Sequence, residues 1–125
     1  METPIKESIS NYEQMLIIEK YEKVINYLYP IIQNLANKHA VAKDIFLRLL
    51  FQQIELFQQA AKLSQVSKLY IVDGNLGSLR FWLRFFVNEK IKGLTNHQKA
   101  TIEQLLAEVE SLLGKWIKKI NSLKG

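Results

Sequence analysis

The chain has 125 residues, enough for one domain and one core, with no stretch that reads as a linker between two. It has no cysteine, which excludes disulfides and thiolate metal sites, and no apolar run near the roughly 20 residues of a membrane span. Seventeen Lys and Arg against twelve Asp and Glu give a net charge of +5, a bias toward polyanionic partners.

The charge is unevenly spread. Met1 to Asn37 holds five acidic against three basic side chains, and Lys38 to Gly125 holds fourteen basic against seven acidic. The first ten residues include Glu2, Lys6 and Glu7 and no apolar core, so they do not read as a secretory signal, and a cytoplasmic protein is expected.

Strand-like alternation is absent, and apolar residues recur at helical spacing, predicting an all-α chain with one domain over residues 1–125. The first helix is expected over about 6–36, with Ile9, Tyr12, Leu16, Tyr21, Val24, Ile25, Leu28, Ile32 and Leu35 in the helical rhythm. Pro30 inside it removes a backbone hydrogen bond and predicts a kink between Asn26 and Pro30, with termination as the lesser expectation. A second helix is expected over about 40–62, burying Val41, Ile45, Leu49, Phe57 and Ala60. Ser64 is a candidate N-cap for a third helix over about 65–91. Gly93 reads as a chain-reversal residue, and Thr95 with Gln98 as a capping box that opens a fourth helix over about 96–123. That helix carries a stripe from Ile102 through Leu106, Val109, Leu113 and Trp116 to Ile120 and Leu123. Short turns between four helices predict an antiparallel up-and-down four-helix bundle.

The third helix holds more apolar surface than a lone bundle needs. Phe81, Trp82, Leu83, Phe85, Phe86 and Val87 spread over roughly 240° at about 100° per residue, where a surface helix needs an apolar stripe of about 100° or a little more. Phe81, Trp82, Phe85 and Phe86 are therefore expected at an interface between copies, with Ile17 of the first helix added more weakly from the run Met15 to Ile18. A third helix central enough to be buried all round is the competing reading. The arc left open holds Asp73, Gly77, Arg80, Arg84 and Asn88, so two guanidinium groups lie one turn apart. They either grip phosphates or line the opening of a ring, or they pair with Asp73 or with Glu19 and Glu22. Gly74 and Gly77 in mid-helix suggest close approach of a neighbouring backbone, or else a break in the helix.

Catalytic chemistry has no candidate residues. His39 and His97 lack ligand-spaced companions, no glycine-rich phosphate loop occurs, and no metal or cofactor is expected. Glu103, Glu108 and Glu110 followed by Lys115, Lys118 and Lys119 complement the dipole of the last helix and read first as a solvated face. Three basic clusters remain as phosphate contacts without base-reading capacity: Lys38, His39 and Lys43; Arg80 and Arg84; Lys115, Lys118 and Lys119.

Five segments carry a family resemblance: YEQMLIIEKYEKVINYLYP (12–30), KHAVAKDIF (38–46), QVSKLY (65–70), LRFWLRF (79–85) and LLAEVESLLGKWIKKIN (105–121). Nearly end to end, the chain resembles the accessory variability determinant (Avd) proteins of diversity-generating retroelements. The resemblance implies a ring-like homo-oligomer, a homopentameric barrel of four-helix bundles. It also implies a partner reverse transcriptase with its RNA, and phosphate contacts that extend to DNA. In that family the complex copies a template repeat into error-prone cDNA for mutagenic retrohoming, and the polymerase performs the chemistry. Carried over residue by residue, Arg80 and Arg84 fall on the arginines of LRFWLRF and Lys68 on the lysine of QVSKLY. A stand-alone bundle protein of the type encoded in intervening sequences of ribosomal RNA genes, with a structural or RNA-binding role, is the alternative.

Overall fold

The computed structural model describes the backbone of residues 4–63, 65–88 and 91–124 and the side chains of residues 14–63, 65–88 and 91–122. The expected burial of Ile9, Tyr12 and Leu123 and the Ser64 cap lie outside these residues. The helices are α1 (Pro4–Gln33), α2 (Ala40–Leu63), α3 (Val66–Val87) and α4 (Asn96–Lys124), with a short 3₁₀ turn (Asn37–His39) before α2. Among the described residues there is no strand. Each helix packs on its sequence neighbours and α1 closes on α4, while among the described residues the backbones of the diagonal pairs stay apart, the arrangement of an up-and-down bundle.

Helix α1 continues for one turn past Pro30, so it does not terminate there. It ends at Gln33, earlier than expected, and Lys43 of α2 takes over its terminal carbonyls. The Lys43 ammonium donates to the Gln33 oxygen at 3.0 Å and to the Leu35 oxygen at 2.9 Å.

The core takes one stripe from each helix: Ile17, Tyr21, Val24, Leu28 and Ile32; Phe46, Leu50, Phe57 and Ala60; Leu69, Val72, Leu76, Leu79, Leu83 and Phe86; Ile102, Leu106, Val109, Leu113, Trp116 and Ile120. Phe57 meets Tyr21 edge to face at 5.6 Å between ring centroids, and Phe46 meets Phe86 at the same distance. The Tyr21 hydroxyl donates to the Leu50 carbonyl at 2.5 Å, and its burial pushes the phenol pKa upward, which keeps it a donor.

In α2, Val41 and Ile45 are exposed, at 76% and 39%, and Leu49 is only half-buried. The helix is rotated so that Phe46 and Leu50 point inward, which hides a phenyl ring where the expected stripe offered Val41 and Ile45. Ile17 and Phe86, expected between copies, are 1% and 0% exposed within one chain, so the bundle already covers them. Trp82 and Phe85 are half-buried and Phe81 is 54% exposed, so the third helix is sheltered on most of its circumference and bare at one sector.

Helix α3 ends at Val87 rather than near Ile91, because the chain turns back over Phe86. The Gly93 and Leu94 amides both donate to the Phe86 carbonyl, at 2.7 and 3.0 Å, and Leu94 is buried. The left-handed residue of this turn is Lys92, with φ 52°, and not Gly93. Gly93 is required for space: an added Cβ would lie 3.1–3.3 Å from the Phe86 ring, oxygen and Cβ. Lys92→Gly should therefore stabilise the chain by up to about 1 kcal/mol, since a side chain in that conformation costs about that much. Gly93→Ala should destabilise it by about 1–3 kcal/mol through overpacking. Urea midpoints moving in opposite directions check both. The capping box forms as expected, with Thr95 N to Gln98 Oε1 and Gln98 N to Thr95 Oγ1 both at 3.0 Å.

Candidate nucleic-acid interface

Antiparallel packing sorts the basic residues by bundle end. The α1–α2 and α3–α4 turns share one end, which collects Lys38, Lys43, Arg84, Lys92 and Lys99. The opposite end collects Lys62 and Lys68 from the α2–α3 turn with Lys115, Lys118 and Lys119 from the end of α4. The predicted contacts thus form two separated groups, with Arg80 between them.

Their availability differs. Lys43 is engaged in holding the end of α1, and Lys119 has a polar partner of its own. Arg80 is tied to α4: its Nε donates to Glu110 Oε2 at 2.6 Å and one terminal nitrogen reaches the same oxygen. Neither Asp73, Glu19 nor Glu22 is the partner. Glu110 lies 30 residues away, and only the α3–α4 packing brings it into reach. The pair is about one-third exposed on each side, so its net contribution is at the modest end for ion pairs.

Arg84, one turn beyond, is exposed and makes no hydrogen bond or ion pair among the described residues. Its full fork of donors faces solvent, the geometry that takes a phosphate oxygen pair. Lys38, Lys115 and Lys118 are likewise exposed, and Lys68 is half-buried in the first turn of α3.

The acidic side chains of α4 are mostly occupied: Glu108 pairs with Lys20 of α1 at 3.2 Å, and Glu103 with Lys99 at 3.7 Å. Among the described residues no group of three or more His, Asp or Glu side chains is placed to hold a metal ion. No helix among them is long and apolar enough to cross a membrane.

Sequence reasoning missed the polar clamp between α2 and α3. Gln53, fully buried, donates from Nε2 to the Val72 carbonyl at 3.2 Å and accepts at Oε1 from the Asn75 amide, which also reaches the Leu49 carbonyl at 3.1 Å. The one local signal was a glutamine in register with Phe46, Leu50, Phe57 and Ala60. At Gly74 and Gly77 the helix break expected as one alternative does not occur. Helix α3 is continuous through both, and among the described residues nothing within 4 Å would meet a Cβ at either.

The family model described as bAvd-like matches residues 15–120. No curated protein matches the chain.

Proposed function

We propose a function that proceeds from one premise: this chain belongs to the bAvd-like family. It is a non-catalytic accessory subunit of a diversity-generating retroelement. It binds the reverse transcriptase and the template RNA or its cDNA, assembles into a ring of copies, five in the complete assembly, and supports mutagenic retrohoming. The observation that carries the reading is the family match across residues 15–120, which takes in α2 and α3 whole and most of α1 and α4.

The chain's own residues supply the physical means. Arg84 offers a guanidinium unengaged among the described residues, with Lys38 at the same end and Lys68, Lys115 and Lys118 at the other. Such contacts read the phosphate backbone and not the bases, so affinity falls steeply with salt. Repeating one weak patch around a ring raises the joint affinity through effective concentration, without any new contact. Arg80, neutralised by Glu110, contributes less than Arg84 to this field and more to the α3–α4 contact.

The test is co-purification with the retroelement's reverse transcriptase and template RNA. The wild-type chain should retain both. Arg84→Ala should lower RNA recovery several-fold and flatten its salt dependence, with helicity unchanged, whereas Arg80→Ala should do less. Equal recovery with Arg84→Ala removes that residue from the contact. A wild-type chain that retains neither polymerase nor RNA overturns the function.

A further inference from the structure

Arg80 and Arg84 stand one turn apart on α3, about 40° from each other around the helix axis, so their guanidinium groups can reach one anionic group or two neighbours on a single strand. The two differ in what holds them. Arg80 is tied to α4: its Nε donates to Glu110 Oε2 at 2.6 Å, and a terminal nitrogen converges on the same oxygen. Arg84 is exposed, with no such partner among the described residues.

The Glu110 carboxylate offers Arg80 the chemistry that a phosphate would offer, and it is replaceable. Both contacts fall on one oxygen, so the fork geometry that uses two oxygens and makes such pairs strong is not what these contacts form. The two side chains are 38% and 34% exposed, where water and salt weaken an ion pair. The neighbouring carboxylate Glu103 is occupied by Lys99. Gly77, exposed three residues before Arg80, has nothing among the described residues within 4 Å of an added Cβ, which leaves the approach along α3 open.

We propose that Arg80 and Arg84 form one phosphate site in which Glu110 is a built-in competitor for Arg80. The inference rests on the phosphate contacts proposed above and adds how one of them is regulated. A strand caught at Arg84 presents its next phosphate to Arg80 at high effective concentration, and that phosphate displaces the carboxylate. Without a strand, Glu110 draws Arg80 back to α4. The glutamate therefore lowers the affinity for every strand and sets how much salt the complex withstands.

Fluorescence anisotropy of a labelled single-stranded RNA oligonucleotide, titrated with the full chain across a salt series, tests the competition. Glu110→Gln keeps an oxygen acceptor for Arg80 and removes the charge, so helical signal and urea midpoint should stay close to those of the wild type. Its RNA affinity should rise at least about threefold, within the range of an exposed ion pair. The slope of log affinity against log salt should steepen by roughly 0.7, the increment of one phosphate contact on a single strand. Glu108→Gln removes the same charge and frees Lys20 on the α1 side, and it should leave the slope unchanged. Arg80→Ala should cost little in the wild type and erase the whole gain in the Glu110→Gln background. A Glu110→Gln variant that binds no more tightly than the wild type overturns the competition while the phosphate contacts stand. So does a gain that survives Arg80→Ala or that Glu108→Gln reproduces. If the wild type and Glu110→Gln both leave the RNA unbound at low salt, the phosphate contacts themselves are overturned.

Discussion

Phe86→Ala should strongly destabilise the fold of the chain and not merely separate copies of it. The ring is fully buried in one chain, perpendicular to Phe46 at 5.6 Å between centroids and in contact with Phe85 and Trp82. It is also the surface over which Gly93 and Leu94 fold back. Removing a buried phenyl group costs about 3–5 kcal/mol in lost transfer energy and residual cavity. Against a typical domain stability of about 5–15 kcal/mol, that is a large share of the whole. In urea the helical signal should be lost at a much lower midpoint, whatever the protein concentration. A variant that keeps the wild-type midpoint yet dissociates would instead return Phe86 to the contact between copies.

The Gln53–Asn75 clamp should show strong coupling. Gln53→Leu removes the acceptor of the Asn75 amide, and Asn75→Leu leaves the buried Gln53 Oε1 without its donor. Each change should cost about 1–3 kcal/mol, because a buried polar group loses its partner and cannot recover water. The double variant, with both polar groups gone, should fall well short of the sum and approach the wild type. Urea unfolding of the two single variants and the double closes this cycle, and additive losses would show that the two side chains act independently. The clamp joins α2 to α3 through the Val72 and Leu49 carbonyls.

Arg84 is a candidate contact because no described residue of its own chain claims it, whereas Arg80 lost that standing to a glutamate on another helix. Lys43 lost it to two carbonyls at the end of α1. The basic clusters visible along the chain are therefore a longer set than the groups free to meet a phosphate.

The linear sequence by itself determined the features that depend on short spacings. Four helices follow from apolar periodicity, since side chains three and four residues apart share a face in any α-helix. The Thr95–Gln98 capping box follows for the same reason. The α4 stripe was legible too, with Ile102, Leu106, Val109, Leu113, Trp116 and Ile120 all buried and only one apolar face to choose from. Only the tertiary structure decided which of two apolar stripes of α2 turns inward, which carboxylate holds Arg80, and that Phe86 and Ile17 are core. Where a helix is apolar on more than one side, its rotation is set by the volumes and polar groups of three neighbouring helices, and those are many tens of residues away in the chain.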